Sequence, residues 1–215
     1  MSKLTLSLYP TLLDSFYWYK RIPSPDKFQE LINKINRVKP DEFPIAAKKG
    51  IQFEDCVNNL LKGMNVQKRD GVYIAKDFEF NSVIVDKIVS KLVNHKKQQE
   101  YIQAVVPTEI GNIKLYGFVD YSYPDSDVDL KTTGKYTFGK FKINNQHKCY
   151  SLIRHINGTP IQEFKYLVTD FNHVFVEPYK CTPQLHNEFL EEVYQFNEFL
   201  QENRSIITDT KIFGH

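Results

Sequence analysis

The turn at residues 123–126, Tyr-Pro-Asp-Ser, constrains the fold of this 215-residue chain more than any other feature. Proline at its second position and aspartate at its third are typical of a type I turn. If Pro124 and Asp125 form the centre, residues equidistant from them face each other across a hairpin. Asp120 and Asp129 are such a pair. The sequence therefore predicts two carboxylates opposite each other, in strands rich in Val, Tyr and Phe.

Opposed carboxylates need compensation, because like charges directly across a sheet are destabilising. At about 5 Å between Cβ atoms, the pair requires a shared proton or a cation. Lys131 is on the same strand face as Asp129, since side chains alternate along a strand. Clustered carboxylate oxygens are ligands that Mg²⁺ or Mn²⁺ prefers. Glu54 is the candidate third anchor, with its neighbour Asp55 as the competing choice.

The acid-x-lysine pattern at 129–131 occurs twice more, at 163–165 and 209–211. Neither of these copies has an acid placed opposite it by a neighbouring turn. The pattern is common by itself, so the opposing Asp120 is what distinguishes the first copy.

Periodicity along the chain predicts one domain over residues 1–215, with a helical part at about 1–98 and a sheet with helices at about 99–205. Helices are predicted from Pro10, after an Asp26 cap, at about 46–61, from Asn81 or Ser82, at about 143–156 and at about 183–202. Strands are predicted within 100–110, 112–123, 127–133, 161–171 and 173–179. This order indicates an α/β (α+β) fold with a mixed central β-sheet flanked by helices.

A basic segment follows the second acid. Between residues 130 and 162 there is no acid, and the six basic residues are Lys131, Lys135, Lys140, Lys142, Lys148 and Arg154. Such a run beside an acid pair suits a path for phosphates, although solvated lysines are the commoner explanation. On the predicted helix Gln146, Tyr150 and Arg154 are spaced by four, so they form a polar ladder. Cys149, Leu152, Ile153 and Ile156 would form its buried face.

Four elements in order resemble the PD-(D/E)XK nuclease superfamily: Gly50-x-x-Phe53-Glu54, Gly117-Phe118-Val119-Asp120, Asp129-Leu130-Lys131 and Gln146-x-x-x-Tyr150. The last is similar to the Q-x-x-x-Y element of the RecB-type branch, which includes phage exonucleases and CRISPR adaptation nucleases. The resemblance covers roughly residues 4–156. The chain departs from the branch in two ways: Glu54 stands where histidine is frequent, and the cysteine cluster of many members is missing.

The resemblance implies a restriction-endonuclease-like core and a metal-dependent DNA nuclease, favoured as an exonuclease. Glu54, Asp120, Asp129 and the Leu130 carbonyl would hold one or two Mg²⁺ or Mn²⁺ ions. Lys131 would orient or help deprotonate water, or neutralise the transition state. The residues expected to position the strand are Gln146, Tyr150, Lys135, Lys148 and Arg154. No iron–sulfur cluster is expected.

The expected partner is DNA, as ends or a single strand, because no separate base-reading domain is apparent. A net charge of +2 gives no support of its own. Three scattered cysteines and no long apolar stretch indicate a cytoplasmic protein, of a bacterial or phage-infected cell, without a membrane span. The acidic last helix would repel DNA and leaves open a recombination or replication protein as partner. The oligomeric state is also open.

Two alternatives remain at this stage. One is a structure-specific endonuclease or RNase on the same fold. The other is a catalytically inactive module that binds nucleic acid or protein, although such a module has no use for an uncompensated carboxylate pair.

Overall fold

The computed structural model describes residues 4–39 and 41–214, the first two without their side chains. The helices in these ranges are α1 (Pro10–Arg21), α2 (Pro25–Ile35), α3 (Ile45–Leu61), α4 (Ser82–Leu92), α5 (Gln146–Ile156) and α6 (Pro183–Glu202). The strands are β1 (Leu4–Leu8), β2 (Lys68–Arg69), β3 (Val72–Ala75), β4 (Phe78–Asn81), β5 (Lys97–Thr108), β6 (Gly111–Ser122), β7 (Ser126–Thr132), β8 (Glu163–Thr169) and β9 (Val174–Lys180). None of these helices combines the length and the apolar character needed to cross a bilayer.

The central sheet of the described chain has six strands, and β6 organises it. On one side β6 pairs antiparallel with β5, the edge strand. On the other side its first half pairs in parallel with β1, as far as Leu8 and Leu115. Its last residues pair antiparallel with β7, starting at Tyr121 and Val128. The sheet continues through parallel β8 to antiparallel β9. A fork therefore opens beside β6, between the end of β1 and the start of the β7 ladder.

Two apolar clusters cover the two faces of this sheet. On one face α1, α2, α5 and α6 pack with strand residues such as Phe164 and Tyr166. On the other face α3, α4 and the small β2–β3–β4 sheet pack with Tyr121, Leu130 and Leu167. The predicted fold class, a mixed central sheet flanked by helices, is confirmed.

The first part of the chain is not helical throughout, contrary to prediction. It contributes β1 to the central sheet and contains the three short strands β2 to β4. These strands have two to four residues each, too few for a period-two pattern to stand out. Their contacts come from Tyr73 and Phe80, which pack against α3 and α4. Packing, and not local pattern, therefore determines this sheet.

Two predicted helix starts also differ. Ser24, and not Asp26, caps α2, since the Ser24 side chain accepts a hydrogen bond from the Lys27 N–H at 3.1 Å. Helix α5 begins at Gln146, three residues later than predicted. The predicted helix start at Asn81 or Ser82 and the predicted span of the last helix are confirmed.

Candidate functional site

The predicted hairpin register is confirmed. Tyr121 pairs with Val128 and Ser122 with Asp127, so partners are equidistant from Pro124–Asp125. Asp120 and Asp129 are the next pair in this register, and they lie where the ladder ends. The alternation of β6 also reverses here, because Val119 packs in one core cluster and Tyr121, two residues later, in the other. Asp120 thus projects from an irregular point of the strand, at the fork.

Gln99 on β5 is the residue opposite this irregular point. The β5–β6 pairs run through Gln98–Tyr121 and Glu100–Val119 but omit the step between them. Gln99 has a φ of 50°, in the left-handed region that is costly for a residue with a side chain. Its amide Nε2 donates to Glu54 Oε1 at 3.0 Å and to Asp120 Oδ1 at 3.1 Å. The strained residue therefore joins the α3 carboxylate to the β6 carboxylate.

The other carboxylate oxygens are held from the β7 and α5 side. The Leu130 N–H donates to Asp120 Oδ2 at 3.0 Å. The Gln146 amide donates to Asp129 Oδ1. Lys131 Nζ lies 2.7 Å from Asp129 Oδ2, and beyond this ion pair that oxygen accepts no hydrogen bond from the described residues. The structure thus brings Glu54, Asp120, Asp129 and Lys131 together, as predicted.

The electrostatics of the cluster follow from three carboxylates and one ammonium in a partly buried place. Burial raises the pKa of Asp120 well above its usual range, and the charges of Asp129 and Glu54 raise it further. Burial and Asp129 also raise the pKa of Glu54. Burial lowers the pKa of Lys131, but the neighbouring carboxylates outweigh it and the net direction is upward. Lys131 is therefore a protonated ammonium among three carboxyl groups, two of which hold protons more tightly than usual.

A cavity of about 400 Å³ opens beside this cluster, and its walls include Glu54, Leu130, Lys131 and Thr132. Gly50 is also part of its wall, and a Cβ there would lie 2.6 Å from Thr132 Oγ1. The glycine lets α3 approach β7 closely. A substrate group therefore has room to reach Glu54 and Lys131 from outside.

The donor set suits a hard divalent cation, although it is not assembled as a complete site. Among residues 4–39 and 41–214, no three His, Cys, Asp or Glu side chains converge closely enough to hold a metal. The amide nitrogen of Gln99 lies between Glu54 and Asp120 and already occupies one oxygen of each carboxylate. The oxygen-only chemistry fits Mg²⁺ or Mn²⁺, and Gln99 is the group that a metal would displace.

Helix α5 lacks the predicted polar ladder, whereas its predicted buried face is confirmed for Cys149, Leu152 and Ile153 but not for Ile156. All residues from Gln146 to Ile153 are buried, whereas Ile156 is 39% exposed. The helix packs against the sheet on one side and against α1 and α6 on the other. The Tyr150 hydroxyl accepts a hydrogen bond from the Phe118 N–H at 3.2 Å. Gln146 and Tyr150 thus contact the site from within the protein.

Arg154, predicted to bind substrate, is engaged internally. Its guanidinium donates to both Asp127 oxygens at 2.9 Å, to Glu100 Oε2 at 2.7 Å and to Ser122 Oγ at 2.9 Å. These partners lie on β7, β5 and β6, so the side chain clamps three strands to α5. Contact with a phosphate path would require it to leave them.

The remaining predicted basic residues differ in position. Lys148 is buried in α5, and Lys135 is exposed in the segment after β7. Of the two, Lys135 is placed to meet a ligand from solvent. Their contact with substrate stays a prediction.

Two residues near the site were missed by sequence reasoning. Gln99 carries no signal, since the predicted strand began after it and a strand glutamine is unremarkable in composition. Asp14 on α1 accepts a hydrogen bond from the Asn145 N–H at 2.6 Å, and burial raises its pKa to about 6. Asp14 follows Leu13 in a helix with many apolar residues. An acid in such a place was the available signal of a buried carboxyl group.

Comparisons with known proteins support the fold. No family model and no curated protein sequence matches the chain. The chain is similar to a crystal structure from Eubacterium rectale named "Putative exonuclease", with a TM-score of 0.55 and 14% identity, over 94% of this chain and 83% of that one. The crystal structure of SSO0001 gives a TM-score of 0.48 and 8% identity, over 90% and 78%. The first similarity supports the fold, a mixed central sheet flanked by helices.

Proposed function

We propose that this protein is a metal-dependent DNA nuclease that hydrolyses phosphodiester bonds with water, acting as an exonuclease. The observation that carries the proposal is the convergence of Glu54, Asp120, Asp129 and Lys131 beside an open cavity. The name of the Eubacterium rectale protein of similar fold lends support. A DNA end or single strand is the proposed substrate, because no separate element for reading bases in a groove is apparent among residues 4–39 and 41–214.

Each residue has a specific task in this proposal. When bound, Mg²⁺ or Mn²⁺ would supply a Lewis acid for the phosphate and lower the pKa of the attacking water. Glu54, Asp120, Asp129 and the Leu130 carbonyl would hold it. The Lys131 ammonium, 2.7 Å from Asp129, can turn toward a phosphoryl oxygen and stabilise the negative charge that grows there.

Two hydrogen-bond donors hold the carboxylates of Asp120 and Asp129 in place. The Gln146 amide orients Asp129 and the Leu130 N–H orients Asp120. Because both donors belong to buried or strand-bound groups, the carboxylates are held before substrate arrives. Such preorganisation is what electrostatic stabilisation of a transition state requires.

The test is digestion of end-labelled linear DNA, single- and double-stranded, beside a covalently closed circle. It is run with Mg²⁺ or Mn²⁺ and with EDTA. Wild type should cut linear DNA only, and EDTA should abolish cutting. Lys131→Ala should lower the rate by roughly 100-fold or more, the scale for one lost stabilising donor.

Lys165→Ala is the matched control. Lys165 belongs to a second acid-x-lysine pattern on β8 and pairs with Glu163 at 2.5 Å, but it lacks an opposing acid. It should retain wild-type cutting. Cutting of the circle would indicate an endonuclease. An RNA strand of the same length is added as a further substrate, and cutting of RNA alone would indicate an RNase. DNA binding without cutting under either metal would refute the catalytic proposal.

One observation favours the alternative of a binding module without catalysis. The Gln99 amide and the Lys131 ammonium already satisfy much of the carboxylate charge without a metal. Calorimetric titration with Mn²⁺ separates the two functions. Saturable binding lost in Asp120→Asn supports the nuclease, and no binding supports the module.

A further inference from the structure

The open face of the β5–β6 hairpin carries exposed aromatic rings beside the carboxylate cluster. Tyr101 and Phe118 face each other across the two strands, with ring centroids 5.1 Å apart. Their exposures are 46% and 54%. Phe118 precedes Asp120 by two residues on β6, a rise of roughly 7 Å. The rings therefore lie next to the candidate site and face solvent.

The same face continues away from the site with Tyr116, the residue two before Phe118. We call these three rings the aromatic strip: Tyr101, Tyr116 and Phe118. The path from Tyr116 past Phe118 to the Asp120 carboxylate is roughly 13 Å long, about four stacked nucleotides at 3.4 Å each. The Tyr101 hydroxyl donates to Gln103 Oε1 at 3.0 Å, and an Arg37 N–H donates to the Tyr116 hydroxyl at 3.2 Å.

Basic side chains stand at the far end of the strip. A cavity of about 230 Å³ is lined there by Arg37, Lys114, Lys211 and both tyrosines of the strip. Lys114 Nζ lies 5.8 Å from the centroid of the Tyr116 ring. Arg37 is paired with Asp209, so Lys114 and Lys211 supply the surplus positive charge.

We infer that the aromatic strip binds a nucleic-acid single strand and leads it to the carboxylate cavity. Bases stack on the exposed rings, and phosphates contact Lys114 and Lys211. Stacking on aromatic rings tolerates any base sequence, whereas a duplex keeps its base faces inside. The destination of the strand rests on the proposed function, but binding itself needs no cleavage.

Two other uses of the strip are weaker. A facing aromatic pair stabilises a hairpin, but that role does not place lysines at the end of the row. The free edge of β5 offers itself to a second protein strand, but such pairing uses the backbone and not the exposed rings. The continuity of rings, cations and carboxylates on one path favours the nucleic acid.

The test measures binding of a fluorescent 12-nucleotide DNA by anisotropy, in EDTA, so that nothing is cut. Phe118→Ala and Tyr101→Ala should each weaken binding by at least about fivefold, the lower end for loss of one stacked base. Binding of a blunt 12-base-pair duplex should not change. Lys114→Ala should lower the slope of log Kd against log salt by about 0.7.

Trp18→Ala is the matched control, because Trp18 is also an exposed aromatic, at 45%, but lines a different cavity on α1 and α2. It should bind the single strand like wild type. Phe118→Leu and Tyr101→Leu keep apolar contact while removing the ring, so they test stacking if the alanine variants melt early. Leucine variants that bind like wild type would overturn the inference.

Different results would refute single-strand binding by the aromatic strip and the proposed nuclease function. Wild type that binds the 12-mer through the strip but cuts nothing refutes the nuclease and keeps the strip. Wild type that cuts DNA while the Tyr101/Phe118 double variant binds and cuts equally well keeps the nuclease and refutes the strip. If the double variant changes only self-association in sedimentation, the strip is a protein interface and the inference is wrong.

Discussion

Gly117→Ala tests how closely the site strand and α5 are fitted. A Cβ at this position would lie 2.4 Å from the Tyr150 hydroxyl oxygen, 2.5 Å from Cε1 and 2.7 Å from Cζ. Tyr150 is 4% exposed and packs toward Phe164, with ring centroids 6.2 Å apart. Displacing the ring would also strain the hydrogen bond from the Phe118 N–H. Gly117 has no positive φ among the backbone angles, so the effect is steric alone.

The expected cost has two parts. Overpacking of a core position costs about 1–3 kcal/mol, and a weakened buried hydrogen bond adds about 1 kcal/mol. The free energy of unfolding should therefore fall by about 2–4 kcal/mol. In a chain of this size each kcal/mol lowers Tm by about 2–4 °C. Urea unfolding gives the free energy and a thermal melt gives Tm.

A double-mutant cycle isolates the contact. Tyr150→Ala alone should cost about 3–5 kcal/mol, as loss of a buried aromatic ring does. With the ring gone, the alanine Cβ at 117 meets open space, so the second change should add almost nothing. Gly134→Ala is the control, since no atom lies within 4 Å of its Cβ position. Additive costs for Gly117→Ala and Tyr150→Ala would refute the steric argument.

Three further changes follow from the same structure. Arg154→Met should lower the free energy of unfolding by about 3–5 kcal/mol, because it leaves buried carboxylates without their cation. Burial favours a higher pKa for Glu100, but hydrogen bonds from Arg154, Lys97 and Ser122 outweigh it and lower the pKa to about 2. The free energy of unfolding of wild type should therefore fall as pH drops from about 4.5 toward 2, and that of Arg154→Met should fall much less. Urea unfolding at several pH values measures both. Gln99→Leu removes the amide between the two carboxylates, so Mn²⁺ should bind about tenfold more tightly in calorimetry; weaker binding would mean that Gln99 supports the metal. Burial raises the pKa of Asp14 to about 6, so ionisation of this carboxyl lowers the free energy of unfolding as pH rises from about 4 to 6. Asp14→Asn should therefore be more stable than wild type at pH 8 but not at pH 4. An equal gain in stability at both pH values would contradict this.

Local sequence signals were sufficient to predict elements whose contacts lie close together in the sequence. The turn at Pro124–Asp125 determines the β6–β7 register, because two strands joined by a short loop have few alternative pairings. The last helix was placed from its proline start and its periodicity. The acid cluster followed from that register together with Glu54, which the order of motifs indicated.

Distant pairings were not predictable in the same way. Strand β1 pairs in parallel with β6, more than 100 residues later, and no turn links the two. The polar spacing of Gln146 and Tyr150 resembles that of an exposed helix face, but their partners, Asp129 and the Phe118 N–H, lie inside the fold. Periodicity cannot distinguish a polar residue bonded to water from one bonded to a buried group.

The site and the stability of the fold are linked through neighbouring parts of one hairpin. At the Ser122–Asp127 step, Arg154 binds β5, β6 and β7 to α5. Two steps further along, the ladders on both sides of Asp120 are interrupted and Gln99 adopts a strained backbone. The hydrogen bonds of Arg154 therefore join the same three strands close to the point where they separate around the Asp120 carboxylate.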